Sequence, residues 1–422
     1  MNSYIYDAVK TLPVIDTHEH LPWDETRRSP PDFLQDYLAH YMRSDVISAG
    51  LRAIDTVTNP EIDIHRRWAI AEPYWETCRY TGYGRALDIA VAGIYGIDGI
   101  RTGTVEALDK AYKRQNIPGH CWRVLKDMCG IEVSILDNWT ERLEGSNPLF
   151  KRAWQPQDFI NPMQPNGWKL LDGIYERYGI TVTSLDDWLE ALEREMDYYL
   201  KAYDTRILKN IAAYFRPLRF ENTPYETARQ LFAGHIDRWK GRAAQKECLD
   251  FPTPLQDYIM RHMLGLAGRR GLTVQFHTGL QEGNGNNLTN SDPSLLIDLF
   301  SAFPDVNFDL FHIGYPYYGK ACAICKNYPN VTLDMCWVHI ISPNAAVAAL
   351  SEFLDALPYN KISAFGGDYA FVDGVYGHLQ LARENVSRTL SEKVRLGIFT
   401  EEKAVDIAKA LFYDNPKRIF QL

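Results

Sequence analysis

Four short apolar runs in this sequence end in a histidine or an aspartate, and their spacing limits what the chain can become. Residues 14–20 read Val-Ile-Asp-Thr-His-Glu-His, 272–277 end at His277, 306–312 end at His312 and 362–368 end at Asp368. A short apolar run bounded by turn residues and rich in Val, Ile, Leu or Phe reads as a buried strand. Residues 293–303, 321–328 and 344–357 carry apolar side chains at helical spacing, and a further strand is expected at 331–335. Strand and helix therefore alternate. A parallel strand pair needs a crossover connection, so this alternation argues for a parallel sheet wrapped by helices. Successive strands that end in polar residues favour the closed form, a (β/α)8 barrel, in which the loops at the C-terminal ends carry the chemistry.

The first half is less regular. A strand at 130–137 ends in Asp137, a weak one is expected at Phe159 and Ile160, and 206–214 is β-like. Residues 21–31 are rich in Pro and Arg and read as a loop. From 32 to 111 the apolar residues fall at helical spacing, as in Phe33, Tyr37, Leu38 and Tyr41 and again in Trp68, Ala71, Tyr74 and Trp75. Ser184, with Asp187 three residues on, reads as a helix N-cap. The expectation is a single α/β barrel domain over 1–422, with 32–130 a helical insertion or lid between the first two strands.

Composition narrows the class. The 46% hydrophobic content suits a large globular core. A net charge of −9, from 45 basic and 54 acidic residues, argues against a nucleic-acid partner. Seven cysteines spread over 422 residues do not form a disulfide framework. Cys322 and Cys325 lie in a helix-like run with no second pair, so they read as ordinary helix residues. No run approaches the roughly 18 apolar residues of a membrane span, and the N-terminus lacks a basic start followed by an apolar stretch. The expectation is a cytoplasmic protein with a small-molecule substrate and no membrane partner. It is expected to form a homo-oligomer, as barrels of this size commonly do.

In a strand, residues two apart share a face, so His18 and His20 leave the first strand side by side. With His277, His312 and Asp368 they make a set of imidazoles and one carboxylate that suits zinc, iron or manganese. A site with an open position lowers the pKa of a bound water toward about 7. Asp368 can hold the ion with one oxygen and accept the water's proton with the other. Each residue alone has a plain structural reading: His312 as a hydrogen-bonded core histidine, Asp368 as a helix cap.

The motifs Asp16-Thr-His-Glu-His20, Gln275-Phe-His-Thr-Gly279, His312-Ile-Gly-Tyr-Pro316, Tyr328-Pro-Asn-Val-Thr-Leu-Asp334 and Gly366-Gly-Asp368, in this order, resemble the amidohydrolase superfamily. The likeness is to its amidohydrolase-related branch, with uronate isomerases more distantly similar. It runs from residue 14 to the C-terminus and is least clear over 32–130. The resemblance implies metal ligation by His18, His20, His277 and Asp368, with His312 either a ligand of a second metal or a contact to the substrate or attacking water. Two-metal members often carry a carboxylated lysine at the end of the fourth strand. Here Lys209 lies early in 206–216, so a structural or barrel-buried lysine and a single ion are the first choice, with a two-metal centre open. Zinc is the first choice of metal, with iron and manganese open.

The reaction that follows is metal-dependent hydrolysis of an amide, ester or lactone in a small, carboxylate-bearing substrate. Asp368 serves as base, and His312 positions the substrate or stabilises the oxyanion. The same ligands also allow a decarboxylase, a uronate-isomerase-like enzyme, a two-metal iron or manganese oxygenase, or a non-catalytic metal-binding partner subunit. Arg216 is a candidate to grip a substrate carboxylate through its rigid fork. Trp337, His339 and Asp137 are candidates to line the pocket. Their structural readings are a surface ion pair, loop packing and a helix cap. Residues 279–287, rich in Gly and Asn, are expected to form a mobile loop beside the site.

Overall fold

In the computed structural model, which describes residues 1–23, 32–137, 147–162, 167–243 and 250–422, the apolar runs become eight strands. These are β1 (Val14–Glu19), β2 (Ile131–Leu136), β3 (Phe150–Arg152), β4 (Ile207–Asn210), β5 (Thr273–His277), β6 (Asn307–Phe311), β7 (Val331–Asp334) and β8 (Ile362–Ser363). β1, β4, β5 and β8 are buried at every position, as strands covered on both faces must be. Parallel ladders order them β1-β2-β3 and β4-β5-β6-β7-β8.

Two seams close these ladders into a ring. At the first, Trp154 bridges Leu208; its N–H donates to the Ile207 carbonyl at 3.0 Å and its carbonyl accepts from Lys209 N–H at 2.8 Å. At the second, β1 meets the segment after β8. Thr17 N–H donates to Phe365 O at 3.1 Å, Asp368 N–H to His18 O at 2.8 Å and His20 N–H to Tyr369 O at 3.0 Å. The result is a (β/α)8 barrel. Helices such as Thr253–Arg270, Tyr318–Asn327 and Pro343–Ala356 fill the crossovers. Leu185–Ala202 starts at a full capping box, with Asp187 N–H donating to Ser184 Oγ at 3.2 Å and Ser184 N–H to the Asp187 carboxylate at 2.9 Å. Beyond Trp23, the expected 21–31 loop lies outside the described residues.

Three elements differ from the sequence reading. Phe159 and Ile160 sit in a short helix, Gln157–Ile160, because the Pro156 carbonyl accepts both their N–H groups, at 3.0 and 3.2 Å. The third strand is Phe150–Arg152 instead. Its periodicity is masked by Arg152, which is fully buried with its guanidinium 4.6 Å from the Tyr203 ring centre. β4 stops at Asn210 and the chain turns into a 3-10 helix at Ala212–Tyr214, so Lys209 stands next to the strand's end. β8 is two residues long, and Asp368 lies beyond it in irregular backbone.

Between β1 and β2 the described residues are mainly helical, including Phe33–Ala39, Tyr41–Ser48, Ile64–Cys78, Gly82–Tyr95 and Val105–Gln115. A buried fork holds them together: Arg67 reaches Asp32 with Nη1 3.2 Å from Oδ1 and Nη2 2.5 Å from Oδ2. The insertion seats on the long helix Val372–Arg395. Tyr37 and Tyr95 hydroxyls donate to Asp373 Oδ2 at 2.8 and 2.6 Å, and His120 Nε2 lies 3.0 Å from its Oδ1. Among the described residues no helix is long and apolar enough to cross a membrane.

The insertion and this helix approach through glycine. A Cβ on Gly377 would lie 1.9 Å from the Ala86 carbonyl oxygen, whereas one on Gly265 meets only the Arg269 Nη1 at 3.7 Å. Gly377→Ala is therefore expected to cost about 1–3 kcal/mol by forcing the helices apart. Gly265→Ala, mid-helix and free of clash, should be neutral or stabilising by up to about 1 kcal/mol. Thermal unfolding midpoints of the two variants against the parent chain check both.

Candidate metal centre

Every side chain of the candidate set leaves the same end of the barrel. His18 comes from β1, Lys209 from β4 and His277 from β5, while His20 and His312 stand one residue past β1 and β6 and Asp368 lies beyond β8. They converge on Asp368. Nε2 of His18 and Nε2 of His20 each lie 3.3 Å from Asp368 Oδ1, and His312 Nε2 lies 3.8 Å from Oδ2. His277 Nδ1 is 3.1 Å from His312 Nε2. Above them opens a cavity of about 640 Å³, lined by His18, His20, Lys209, His277, Asp137 and Asp368 from the barrel and by His40 and Tyr41 from the insertion.

The hydrogen-bond partners on the far side of each ring decide what faces inward. Three backbone carbonyls do this: Asp137 O is 3.0 Å from His20 Nδ1, Leu280 O is 2.8 Å from His277 Nε2, and Cys336 O is 2.9 Å from His312 Nδ1. A carbonyl only accepts, so each of these nitrogens carries the proton and the opposite nitrogen of a neutral ring presents a lone pair. Burial, with the charges of His312 and Lys209 adding to it, holds His277 well below the usual imidazole range. Burial pushes His312 down to about 4, and burial and Lys209 hold His18 well below its ordinary value. The nitrogens of His277 and His312 thus meet lone pair to lone pair, beside a carboxylate.

Burial alone would raise Asp368, but His18, His20 and His312 outweigh it and keep it well below the usual carboxylate range. Burial alone would lower His20, yet its hydrogen bond to Asp368 and the charges of Asp368 and Asp137 raise it. Imidazole lone pairs that converge beside an ionised carboxylate form a donor set that fits a divalent ion. Lys209 Nζ lies 3.3 Å from His18 Nε2 and 3.7 Å above the Phe311 ring. Burial lowers its pKa, against the pull of Asp137 and Asp368.

Asp368 is held from both sides in sequence. Asp16 Oδ1 accepts Gly367 N–H at 3.0 Å and Glu19 Oε2 accepts Tyr369 N–H at 2.7 Å. Burial pushes Asp16 up to about 6 and, with Asp16 beside it, raises Glu19 well above its ordinary value. Left-handed backbone clusters here at residues other than glycine: φ is +59° at Asp368, +60° at His312, +48° at Ile313 and +67° at Trp337. Each such residue costs about 1–3 kcal/mol, and strain of this kind gathers at functional sites.

The remaining sequence candidates divide. Asp137 lines the cavity and accepts from Gln155 Nε2 at 3.2 Å on each oxygen. Arg216 is not among the lining side chains. It pairs with Asp257 at 2.6 Å and donates to the carbonyls of Arg219 and Pro217, so its fork is already engaged by the protein. Trp337 is buried behind the site, stacked on Tyr41 with centroids 4.6 Å apart and edge-on to His312 at 5.1 Å. His339 is in the core, its Nε2 2.9 Å from Ala364 O. Lys209, expected away from the metal, lies in the cavity wall because β4 ends one residue after it.

Sequence reasoning also missed His40, Tyr41, Tyr214 and Gln155, while Glu282 and Asn286 come from the Gly- and Asn-rich loop it singled out. The available signal for His40 was its position between two helices, Phe33–Ala39 and Tyr41–Ser48. A Cβ on Gly367 would stand 1.8 Å from Glu19 Oε1. Gly367→Ala should therefore displace the Asp368 turn and lower bound metal per chain severalfold. Elemental analysis checks this, with circular dichroism to show that the fold is kept.

The sequence model of the Amidohydrolase family matches residues 204–422. Protein fluG of Emericella nidulans is 30% identical over 175 residues, which are 40% of this chain and only 20% of that protein. The chain thus spans about a fifth of that relative's length. A uronate isomerase of Cutibacterium acnes is 22% identical over an alignment covering 99% of this chain and 94% of the isomerase. The crystal structure of a uronate isomerase from Thermotoga maritima superposes with a TM-score of 0.79 at 17% identity, over 99% of this chain and 96% of that one. At that identity the likeness speaks for the fold, and the barrel it shares is the one built here from two ladders and two seams. With more than half of its length matched by the family's sequence model, the chain belongs to the amidohydrolase family.

Proposed function

We propose that this protein is a metal-dependent hydrolase that cleaves an amide, ester or lactone bond of a small polar substrate. The observation that carries the reading is an ionised Asp368 carboxylate set among His18, His20 and His312 on the floor of a cavity of about 640 Å³. His18, His20, His277 and Asp368 would hold a divalent ion, zinc by preference for this nitrogen and carboxylate set. Such an ion, when bound, polarises a carbonyl and lowers the pKa of a water toward about 7.

The protein's own groups do the rest. Asp368 takes a proton from the attacking water on one oxygen and returns it to the leaving group. His312, its Nδ1 proton fixed on the Cys336 carbonyl, accepts a hydrogen bond at Nε2 and so orients that water. With Arg216 engaged elsewhere, the Lys209 ammonium is the cation that faces an anionic group of the substrate or the developing oxyanion. His40 and Tyr41 bring the insertion into contact with the substrate, and enclosure between barrel and insertion limits water.

A second reading, aldose–ketose isomerisation of a hexuronate, is favoured by the uronate isomerase that aligns across 99% of this chain. Isotopes separate the two. In ¹⁸O-water, hydrolysis places label in the new carboxyl group. In D₂O, isomerisation exchanges a carbon-bound hydrogen and leaves the substrate's elemental composition unchanged. His18→Ala is expected to lose bound metal and turnover together, and Asp368→Asn to lower kcat by about 10²–10⁴-fold. Turnover retained in Asp368→Asn with metal still bound would remove Asp368 as the base.

A further inference from the structure

The turn that carries Asp368 hangs on its backbone groups, and most of their partners come from barrel strands or the segments just past them. Asp16 and Glu19 accept the N–H groups of Gly367 and Tyr369. The Asp368 N–H donates to His18 O at 2.8 Å, Trp337 N–H to Gly366 O at 3.0 Å and His20 N–H to Tyr369 O at 3.0 Å. The Gly367 carbonyl differs: it accepts from a side chain of the long helix Val372–Arg395, His378 Nδ1, at 2.9 Å. The peptide unit that joins Gly367 to Asp368 is thus pinned at both ends, its N–H by β1 and its C=O by this helix. The tilt of that plane sets φ of Asp368, which is +59°. Released from either anchor, the plane can relax toward the less strained extended region, which re-aims the Asp368 side chain.

We infer that His378 is a positioning residue for Asp368: its Nδ1–H on the Gly367 carbonyl fixes the peptide plane that aims the carboxylate at His18, His20 and His312. The inference rests on the metal-dependent reading above and adds to it a residue that does not line the cavity. A carbonyl only accepts, so the His378 proton stands on Nδ1 and Nε2 is a lone pair. His378 is fully buried, and its Nε2 has no hydrogen-bond partner among the described residues. The Phe365 ring lies beside it, with centroids 5.0 Å apart. An apolar side chain would fill this space without leaving a buried acceptor unmet. Packing therefore explains the histidine poorly, and the one bond it donates explains it well. Burial pushes its pKa down to about 3, so the ring is neutral and adds no charge behind the carboxylate. The same helix face sits hard against the turn: a Cβ on Gly374, four residues before His378, would stand 2.4 Å from Tyr369 Cδ1.

Cobalt(II) added to the chelator-stripped protein tests the assignment, through its dissociation constant and its visible absorption bands, which report ligand geometry. His378→Leu removes the donor and fills the space; it is expected to weaken cobalt binding about 10–100-fold and to alter the bands. His378→Asn places an amide N–H near the Nδ1 position and is expected to restore most of the affinity and the parent spectrum. Asparagine is the smaller and more polar filling, so a packing role alone ranks the two variants the other way, in affinity as in unfolding midpoint. A Leu variant that binds cobalt as the parent does, or an Asn variant no better than the Leu variant, overturns the assignment and leaves the metal centre standing. A parent protein that binds no cobalt overturns the metal-dependent reading, and this inference with it. Should the variants fail to fold, ring ¹⁵N spectra of the histidine-labelled parent decide, with His378 identified by its contact to Phe365. A ring protonated on Nδ1 whose signal moves on zinc loading supports the assignment. A ring protonated on Nε2, or a signal that zinc leaves unmoved, overturns it.

Discussion

Asp368 joins the barrel's closure to its chemistry. Its backbone N–H donates to the His18 carbonyl and forms part of the seam between β1 and the end of the eighth repeat. Its carboxylate is the anion toward which His18, His20 and His312 point. Closing the ring and assembling the site are therefore one event: a chain in which β8 fails to dock on β1 has neither a barrel nor a centre. The arrangement needs left-handed backbone at Asp368 and glycine on its N-terminal side, where Glu19 occupies the space of a side chain.

Below the site the barrel interior is acidic rather than oily. Burial pushes Asp309 up to about 7 and raises Asp334 well above its ordinary value, the pair lying side by side under the ring of imidazoles. Asp16 and Glu19 form a second pair behind Asp368. Two carboxyls sharing a low-dielectric space cannot both ionise, so each pair retains a proton and avoids the full cost of buried charge. These pairs orient backbone and side chains through hydrogen bonds, as Asp16 and Glu19 do for the backbone on either side of Asp368.

The strand ends were legible because two short-range rules reach them. Alternation puts His18 and His20 on one face, and a strand running to its last residue delivers His277. His312 and Asp368 were read as the last residues of their strands, whereas β6 ends at Phe311 and β8 at Ser363, and both stand beyond in backbone that periodicity does not describe. Lys209 is buried in the barrel, as its first reading had it, but the β-like run at 206–216 hides where the strand stops and so hid its place in the cavity wall; that stop depends on the turn at Ala212–Tyr214. For Arg216 the sequence left a substrate grip and an ion pair open, and the choice is long-range: its partner Asp257 comes from the helix Thr253–Arg270, which no local pattern ties to it. β3 was invisible because a buried arginine replaces the expected apolar residue, with its charge set against the rings of Tyr199 and Tyr203.

The Asp373 junction bears on how such a protein can diversify. All the imidazoles and the carboxylate of the centre belong to the barrel, and among the described residues the insertion adds Ala39, His40 and Tyr41 to the cavity wall. One carboxylate, five residues after Asp368, receives Tyr37, Tyr95 and His120 from that insertion. The helical segment thus meets the barrel at the cavity wall and is tied to it at one buried acid. A lineage can redraw its helices, and with them the shape a substrate must match, as long as some donor still answers the acid at the head of the last long helix.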